Sequence, residues 1–343
     1  MERKERKYMQ IVVVTKNEAG QRLDKWLAKY MNKAPKSFFY KMLRKKNIIL
    51  NGKKAEGSEK LQENDEIRLF LSEETIQGFQ ETYIAPKQKK GNLPPISVLY
   101  EDEDIILLNK AVGVLSQKAE KEDISLVEQL IEYLLQTSAI TEATLTSFRP
   151  GVCNRLDRNT SGIVVAGKSL AGLQKMSELL KERTLHKYYR TIVCGEMKNG
   201  QRLKGYLYKN ERTNQVTIFS SEELAKKQGI KLTELSQIET AYQPISIKNG
   251  YTLLEVELIT GKTHQIRAHL SSIGYPIVGD TKYGNQKVNQ ELQKKVGLRH
   301  QLLHAYRLQF PILKGVGSAV SEKEVIAPLP AQFVKVKSTL GLE

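Results

Sequence analysis

Asn154-Arg155-Leu156-Asp157-Arg158-Asn159-Thr160-Ser161-Gly162, running directly into Ile163-Val164-Val165-Ala166, is the most informative stretch of this chain. One carboxylate sits between two arginines, and nearby positive charge favours the ionised form of an acid. A Thr-Ser-Gly turn ahead of a β-branched run puts the loop at the mouth of a strand. That placement suits an aspartate that meets a substrate. The plainer alternative is a surface salt bridge before a strand, which is what most isolated Arg/Asp clusters are. The neighbouring motifs decide between the two.

The 343 residues allow one large core or two to three domains, and 54 Lys+Arg against 38 Asp+Glu give a formal charge of +16. Residues 1–54 hold 16 basic and 4 acidic side chains, so +12 of the +16 lies in the first sixth of the chain. A field concentrated in this way points to a polyanion, either nucleic acid or an anionic membrane surface. Clustering on one small module favours nucleic acid over membrane or plain solubility. The chain opens Met1-Glu2-Arg3-Lys4 with no apolar run after it, so no secretory signal is expected. No window approaches the roughly 18 apolar residues of a membrane span. Cys153 and Cys194 lack metal-ligand spacing. A reduced, cytoplasmic protein is the simplest expectation, and a monomer is adequate.

Near the N-terminus, 11–15 reads as a strand, and Leu23, Trp26, Leu27 and Tyr30 form a helical stripe. Ser37 is the expected N-cap of a second helix, 38–46, which sets Phe39, Met42 and Leu43 against Lys41, Arg44, Lys45 and Lys46. The run 48–53 passes through Asn51-Gly52, a strong hairpin signal. Residues 65–71 alternate as a closing strand. Residues 72–96, ending Gly91-Asn92-Leu93-Pro94-Pro95, read as a linker.

Beyond it, 98–100 and 105–110 suggest strand, acidic turn, strand. Helical periodicity marks 124–135 and 169–180, while 191–193 and 251–259 read as strands. The lysine-rich segment 209–238 reads as an insertion or hairpin extension. Strands outnumber helices without βαβ alternation, which predicts an α+β fold.

Reactive side chains gather in three further segments: His186-Lys187-Tyr188-Tyr189-Arg190, residues 260–270, and Leu302-Leu303-His304-Ala305-Tyr306. A helix over 264–273 sets His264, Arg267 and Ser271 on one face and Ile266, Leu270 and Ile273 on the other. The polar front is either a solvated face or part of a site. His264 and His269 are five apart rather than the four of a helical metal pair, so no metal site is expected. No P-loop or GxGxxG motif calls for a nucleotide, and no cofactor is expected.

In this order the segments resemble the RluA-type family of pseudouridine synthases. Arg155 to Gly162 is similar to the catalytic segment, Lys187-Tyr188-Tyr189 to a basic-x-Tyr motif, and 261–267 to the segment with the family arginine. Tyr275-Pro276-Ile277-Val278-Gly279-Asp280 and Leu303-His304-Ala305 follow as in the family. Residues 22–67 resemble the S4 RNA-binding domain. The resemblance implies an S4-type module over 1–75, a linker over 76–95, and a mixed, mainly antiparallel catalytic domain flanked by helices over 96–335.

It also implies an isomerase that detaches uracil from C1′ of an RNA uridine and rejoins it through C5. Asp157 would be the essential carboxylate, Arg267 its orienting cation and Tyr189 the residue that stacks on the base. Arg155 would fill the gap left by the flipped nucleotide, and Ile266 would contact substrate. Lys36, Lys41, Arg44, Lys45 and Lys46 would hold phosphates. The implied substrate is large-subunit (23S) ribosomal RNA. The alternatives are a tRNA uridine, or a non-catalytic RNA-binding or ribosome-assembly factor. Two positions depart from the family pattern: Asn154 replaces the usual His, and Lys110-Ala111 the usual Lys-Pro, a change expected to affect a turn only.

Overall fold

The computed structural model describes residues 9–80, 95–120, 123–142 and 144–343. Two sheets organise these residues, each over its own apolar core. The smaller has four antiparallel strands in the order Gln10–Val13, Glu66–Leu69, Ile48–Leu50, Lys53–Lys54. Helices Leu23–Tyr30 and Lys36–Arg44 pack on it, burying Leu23, Trp26, Leu27, Phe39 and Leu43 against Ile48, Ile67 and Leu69. Asn51 and Gly52 both have positive φ (49° and 73°), as a two-residue I′ hairpin requires.

Ser37 is not the cap of the second helix. Pro35 is, with extended backbone and no side-chain cap bond, because the fixed φ of proline sets the entry instead of a hydroxyl. Part of the expected linker is also structured. Helix Glu73–Phe79, capped by the Ser72 hydroxyl, buries Ile76 in the first core. The rest of that linker, 81–94, lies outside the described residues.

The larger sheet has 11 strands. Nine run in the order Gln215–Phe219, Gln201–Asn210, Leu235–Lys248, Tyr251–Leu258, His186–Cys194, Leu303–Gln309, Ser161–Gly167, Ile105–Lys110, Val98–Glu101. Glu324–Ile326 and Gly151–Val152 add on as short side pairings. Segment 209–238 therefore belongs to the sheet: it carries an edge hairpin, helix Glu222–Lys227 and the start of a long strand. Edge strands tolerate charge and polar residues, which is why its hydrophobic pattern is weak.

Alternate side chains of the central strands feed opposite faces. Ile106, Leu108, Val164 and Ala166 join one core under helices Leu126–Gln136 and Gln265–Ser272. Ile105, Leu107, Ile163 and Val165 join another under helix Leu170–Glu182. The C-terminal helix Ala331–Thr339 packs in a further core with Leu340 and Leu342, so the folded unit runs past 335.

Among the pairings of the described sheet strands, Leu303–Gln309 with Ser161–Gly167 is parallel and the others are antiparallel. At this seam Tyr189, Ala305 and Gly162 stand in register across three adjacent strands. Tyr189 is therefore two strand spacings, roughly 10 Å, from the strand that opens just after Asp157.

Candidate active site

The loop that presents Asp157 is held mostly by backbone anchors. The Asn154 carboxamide accepts from Val165 N (2.7 Å) and donates to Ile163 O (3.4 Å), tying the loop to the following strand. Asn154 thus supplies a clamp that needs no ring nitrogen. Ser116 Oγ accepts from Leu156 N (3.0 Å) and donates to Leu156 O (2.9 Å). The buried Lys110 ammonium donates to the carbonyls of Ala111, Val114 and Arg158 (3.1, 2.7 and 3.1 Å). Lys110 therefore secures Arg158, the residue next to Asp157. Burial pulls the Lys110 ammonium down to about 7, against the Asp157 charge, which raises it.

Ser161 and Gly162 are strand residues rather than a turn. Gly162 has φ +110°, and a Cβ there would meet Ala305 O at 2.2 Å, so only glycine lets the parallel strands approach.

Asp157, with 27% of its side chain exposed, accepts from Arg267 Nη1 at 2.9 Å. The same guanidinium grips Asp280 with two bonds, Nε to Oδ2 at 2.7 Å and Nη2 to Oδ1 at 3.0 Å. Asp280 Oδ1 also accepts from the backbone of Lys282 and Tyr283 (2.8 and 2.9 Å). Burial opposes the Asp280 charge, but the Arg267 bonds and these amides outweigh it and hold the carboxyl below its ordinary value. Burial likewise opposes the Arg267 charge, and the two carboxylates override it, so the guanidinium stays protonated well above its usual range. Asp280 therefore fixes Arg267, and Arg267 fixes Asp157 with one remaining donor.

His264 stands at the head of the arginine helix in left-handed backbone (φ 52°), with Nε2 3.9 Å from Asp157 Oδ2. Burial pushes its pKa down, the Asp157 charge works the other way, and the Tyr283 hydroxyl bonds Nδ1 (3.1 Å). Tyr283 also carries Arg267 over its ring, 5.3 Å from the centroid. Tyr189 is buried among Leu156, Ile266 and Leu254, and burial followed by the Asp157 charge raises its pKa. Among the described residues its hydroxyl has no hydrogen-bond partner, so it is available to a ligand.

The fold thus gathers Asp157, Arg267 and Tyr189, with Ile266 a buried member of the same core as Tyr189. Arg155 and Arg158 are exposed, and neither pairs with Asp157. Of the two readings of the arginine helix, burial excludes the solvated face: Gln265 to Leu270 are all buried. Gln265 Nε2 is spent on Glu239 O and Thr240 Oγ1, and His269 Nδ1 pairs with Thr240 Oγ1. Lys36, Lys41, Arg44, Lys45 and Lys46 sit on or just after the second helix of the smaller unit, separate from this constellation.

Sequence reasoning gave no role to Lys110, Asp280 or Tyr283. Asp280 did stand in a family-like motif after Gly279, where φ is +81° and an added Cβ would come within 2.2 Å of His300 O, a constrained corner. Among the described residues no group of three or more His, Cys, Asp or Glu could hold a metal.

The site is a partly exposed carboxylate held by a buried arginine on a large, mainly antiparallel sheet, in a chain that also carries a small basic module. The profile of the RNA pseudouridylate synthase family matches residues 104–272, and that of the S4 domain matches 21–67. The ribosomal large subunit pseudouridine synthase C of Haemophilus ducreyi is 30% identical over 336 residues, covering 98% of this chain and 97% of that one. The corresponding protein of Escherichia coli K12 is 29% identical over 309 residues, 88% of each chain. Human RNA Pseudouridylate Synthase Domain Containing 4 shares the fold, with TM-score 0.57 at 23% identity over 72% of this chain and 94% of that one. The chain belongs to the RNA pseudouridylate synthase family and carries an S4 domain; it is an RNA pseudouridine synthase.

Proposed function

We propose that this enzyme isomerises uridines of large-subunit (23S) ribosomal RNA, with Asp157 as the essential carboxylate. The observation that carries the site assignment is the Asp157–Arg267 ion pair at 2.9 Å, itself braced by Asp280. A carboxylate attacks or takes a proton only while ionised, and a fixed guanidinium keeps it so and aims it. The target uridine leaves its stack to reach the cleft, at a cost of a few kcal/mol. Tyr189 then stacks on the base with its unpartnered hydroxyl toward it, over the apolar floor that includes Ile266. Arg155, exposed on the loop, takes the space the nucleotide vacates, since a guanidinium stacks and contacts phosphate together. Breaking N1–C1′ and forming C5–C1′ exchanges one proton, so the reaction is a net isomerisation and needs no redox partner.

The ribosomal assignment is supported by the relatives, which are ribosomal large subunit pseudouridine synthases. The basic helix around Lys36, Lys41, Arg44, Lys45 and Lys46 supplies sequence-independent phosphate contacts in this reading. A division into an S4-type module that reaches helix Glu73–Phe79, a linker after it and a catalytic unit that runs past 335, action as a monomer and a cytoplasmic location belong to the same proposal. No helix among the described residues is long and apolar enough to cross a membrane. Pseudouridine mapping of rRNA and tRNA from cells with and without the gene tests the substrate. Positions lost only from large-subunit rRNA are expected, and losses confined to tRNA would move the substrate there. Wild-type protein that releases no C5 tritium from either RNA would sink catalysis by this chain.

A further inference from the structure

Strand His186–Cys194 pairs with Tyr251–Leu258 without a bulge, so its side chains alternate between two faces. On the face away from Asp157 the polar groups are matched. His186 bonds Glu257 (2.8 Å), Arg190 bonds Glu255 (3.1 Å), and Tyr188 lies under Arg307 (3.8 Å to the ring centroid). Lys187 points to the other face, the one that holds Tyr189. Among the described residues it has no acidic partner, and the charge that acts on it is another cation, Arg183. Its ammonium reaches the loop ahead of the arginine helix, where a Cβ on Gly261 would stand 4.0 Å from Nζ. Three residues further along that loop, His264 touches the Asp157 carboxylate.

A half-buried ammonium with no counter-charge, beside a second cation, costs the free protein stability and returns nothing within it. Its pKa is accordingly pushed down by burial and then by Arg183. A backbone phosphate of the RNA would supply the missing anion.

We propose that Lys187 is a positioning residue that binds a phosphate flanking the target uridine, with Arg183 strengthening the local field. The proposal rests on the RNA-isomerase reading and adds a specific contact to it. Holding that phosphate sets how deeply the flipped nucleotide enters between Tyr189 and Asp157.

The test uses full-length wild type, Lys187→Met and Lys187→Arg with transcripts of large-subunit rRNA and of tRNA. On whichever transcript the wild type modifies, Lys187→Met is expected to raise KM about tenfold and change kcat by less than about threefold. It also lowers the slope of log affinity against log salt by about one, and Lys187→Arg restores most of the affinity. Its melting temperature equals or exceeds that of the wild type, because an uncompensated charge has been removed. Single methylphosphonate linkages beside the modified uridine, in a synthetic hairpin, then locate the contact. One linkage weakens the wild type and leaves Lys187→Met no weaker. An unchanged salt slope, or a variant as sensitive as the wild type at every linkage, overturns the assignment. Wild-type inactivity on both transcripts tells against the substrate reading instead, and the salt slopes of binding to the same transcripts still decide Lys187.

Discussion

Asp157 holds one bond to a guanidinium that Asp280 holds with two. This asymmetry separates chemistry from stability. Asp157→Asn keeps a hydrogen-bonding side chain against Arg267 and leaves the Arg267–Asp280 pair intact. It should abolish tritium release from C5-labelled uridine while RNA affinity stays within a few-fold. Arg267→Met strands the Asp280 carboxylate in the interior, and urea denaturation should show a loss of about 3–5 kcal/mol. Adding Asp280→Asn should recover most of that stability and none of the turnover. Full activity in the double variant would count against Arg267 as the group that orients Asp157. Arg267 and Asp157 were both legible in the sequence because their motifs are local. Asp280 was visible only as a letter in a motif, since its partner sits 13 residues away on another element.

At the scale of the element, the seam between Ser161–Gly167 and Leu303–Gln309 sets the distance between Asp157 and Tyr189. Gly162→Ala places a methyl against Ala305 O in a backbone conformation that L-residues avoid. It should cost roughly 3 kcal/mol or more and lower kcat even where the protein stays folded, as denaturation and single-turnover assays would read. Wild-type stability would mean the strands part freely and the seam does not fix the site. The basic helix is a second element with its own test. Replacing Lys36, Lys41, Arg44 and Lys45 by Gln should reduce the salt slope of RNA binding by about three while the fold persists. An unchanged slope removes the helix from the RNA path.

The periodicity of these elements placed most helices and strands well. It failed where a short capped helix lies in a polar stretch, as at Glu73–Phe79, and it anticipated the hairpin within 209–238 without its strand bounds. Spacing alone left the arginine helix open between a solvated face and part of a site, because a buried polar face and a solvated one have the same period.

Across the whole molecule, burial keeps two histidines neutral. His304 Nε2–H donates to Ala327 O (3.3 Å), which leaves Nδ1 to accept from the Ser161 hydroxyl (2.8 Å). Burial lowers both His269 and His304 from 6.5 to about 4. Their folded values lie below the unfolded one, so the unfolded chain takes up protons first as the medium acidifies. Their contribution is complete above pH 6.5, falls between 6.5 and about 4, and changes no further below that. Each should add a slope of about 1.4 kcal/mol per pH unit in that window. Urea titrations at intervals of half a pH unit measure it, and a flat profile from pH 7 to 4 would contradict neutral burial.

The sequence by itself determined the family and the basic module and nominated Asp157, Tyr189 and Arg267, because the motifs are short and contiguous and the charge is clustered. Only the tertiary structure decided how Arg267, the cation the resemblance already implied, reaches Asp157. The adjacent arginines face outward, while Arg267, 110 residues away, is delivered by a helix whose polar side is buried. It also decided that Lys110 secures the loop, that Asp280 braces the arginine, and that Lys187 stands without a counter-charge. Those roles depend on which elements the sheet brings together, and no local pattern records a partner that arrives from a distant strand.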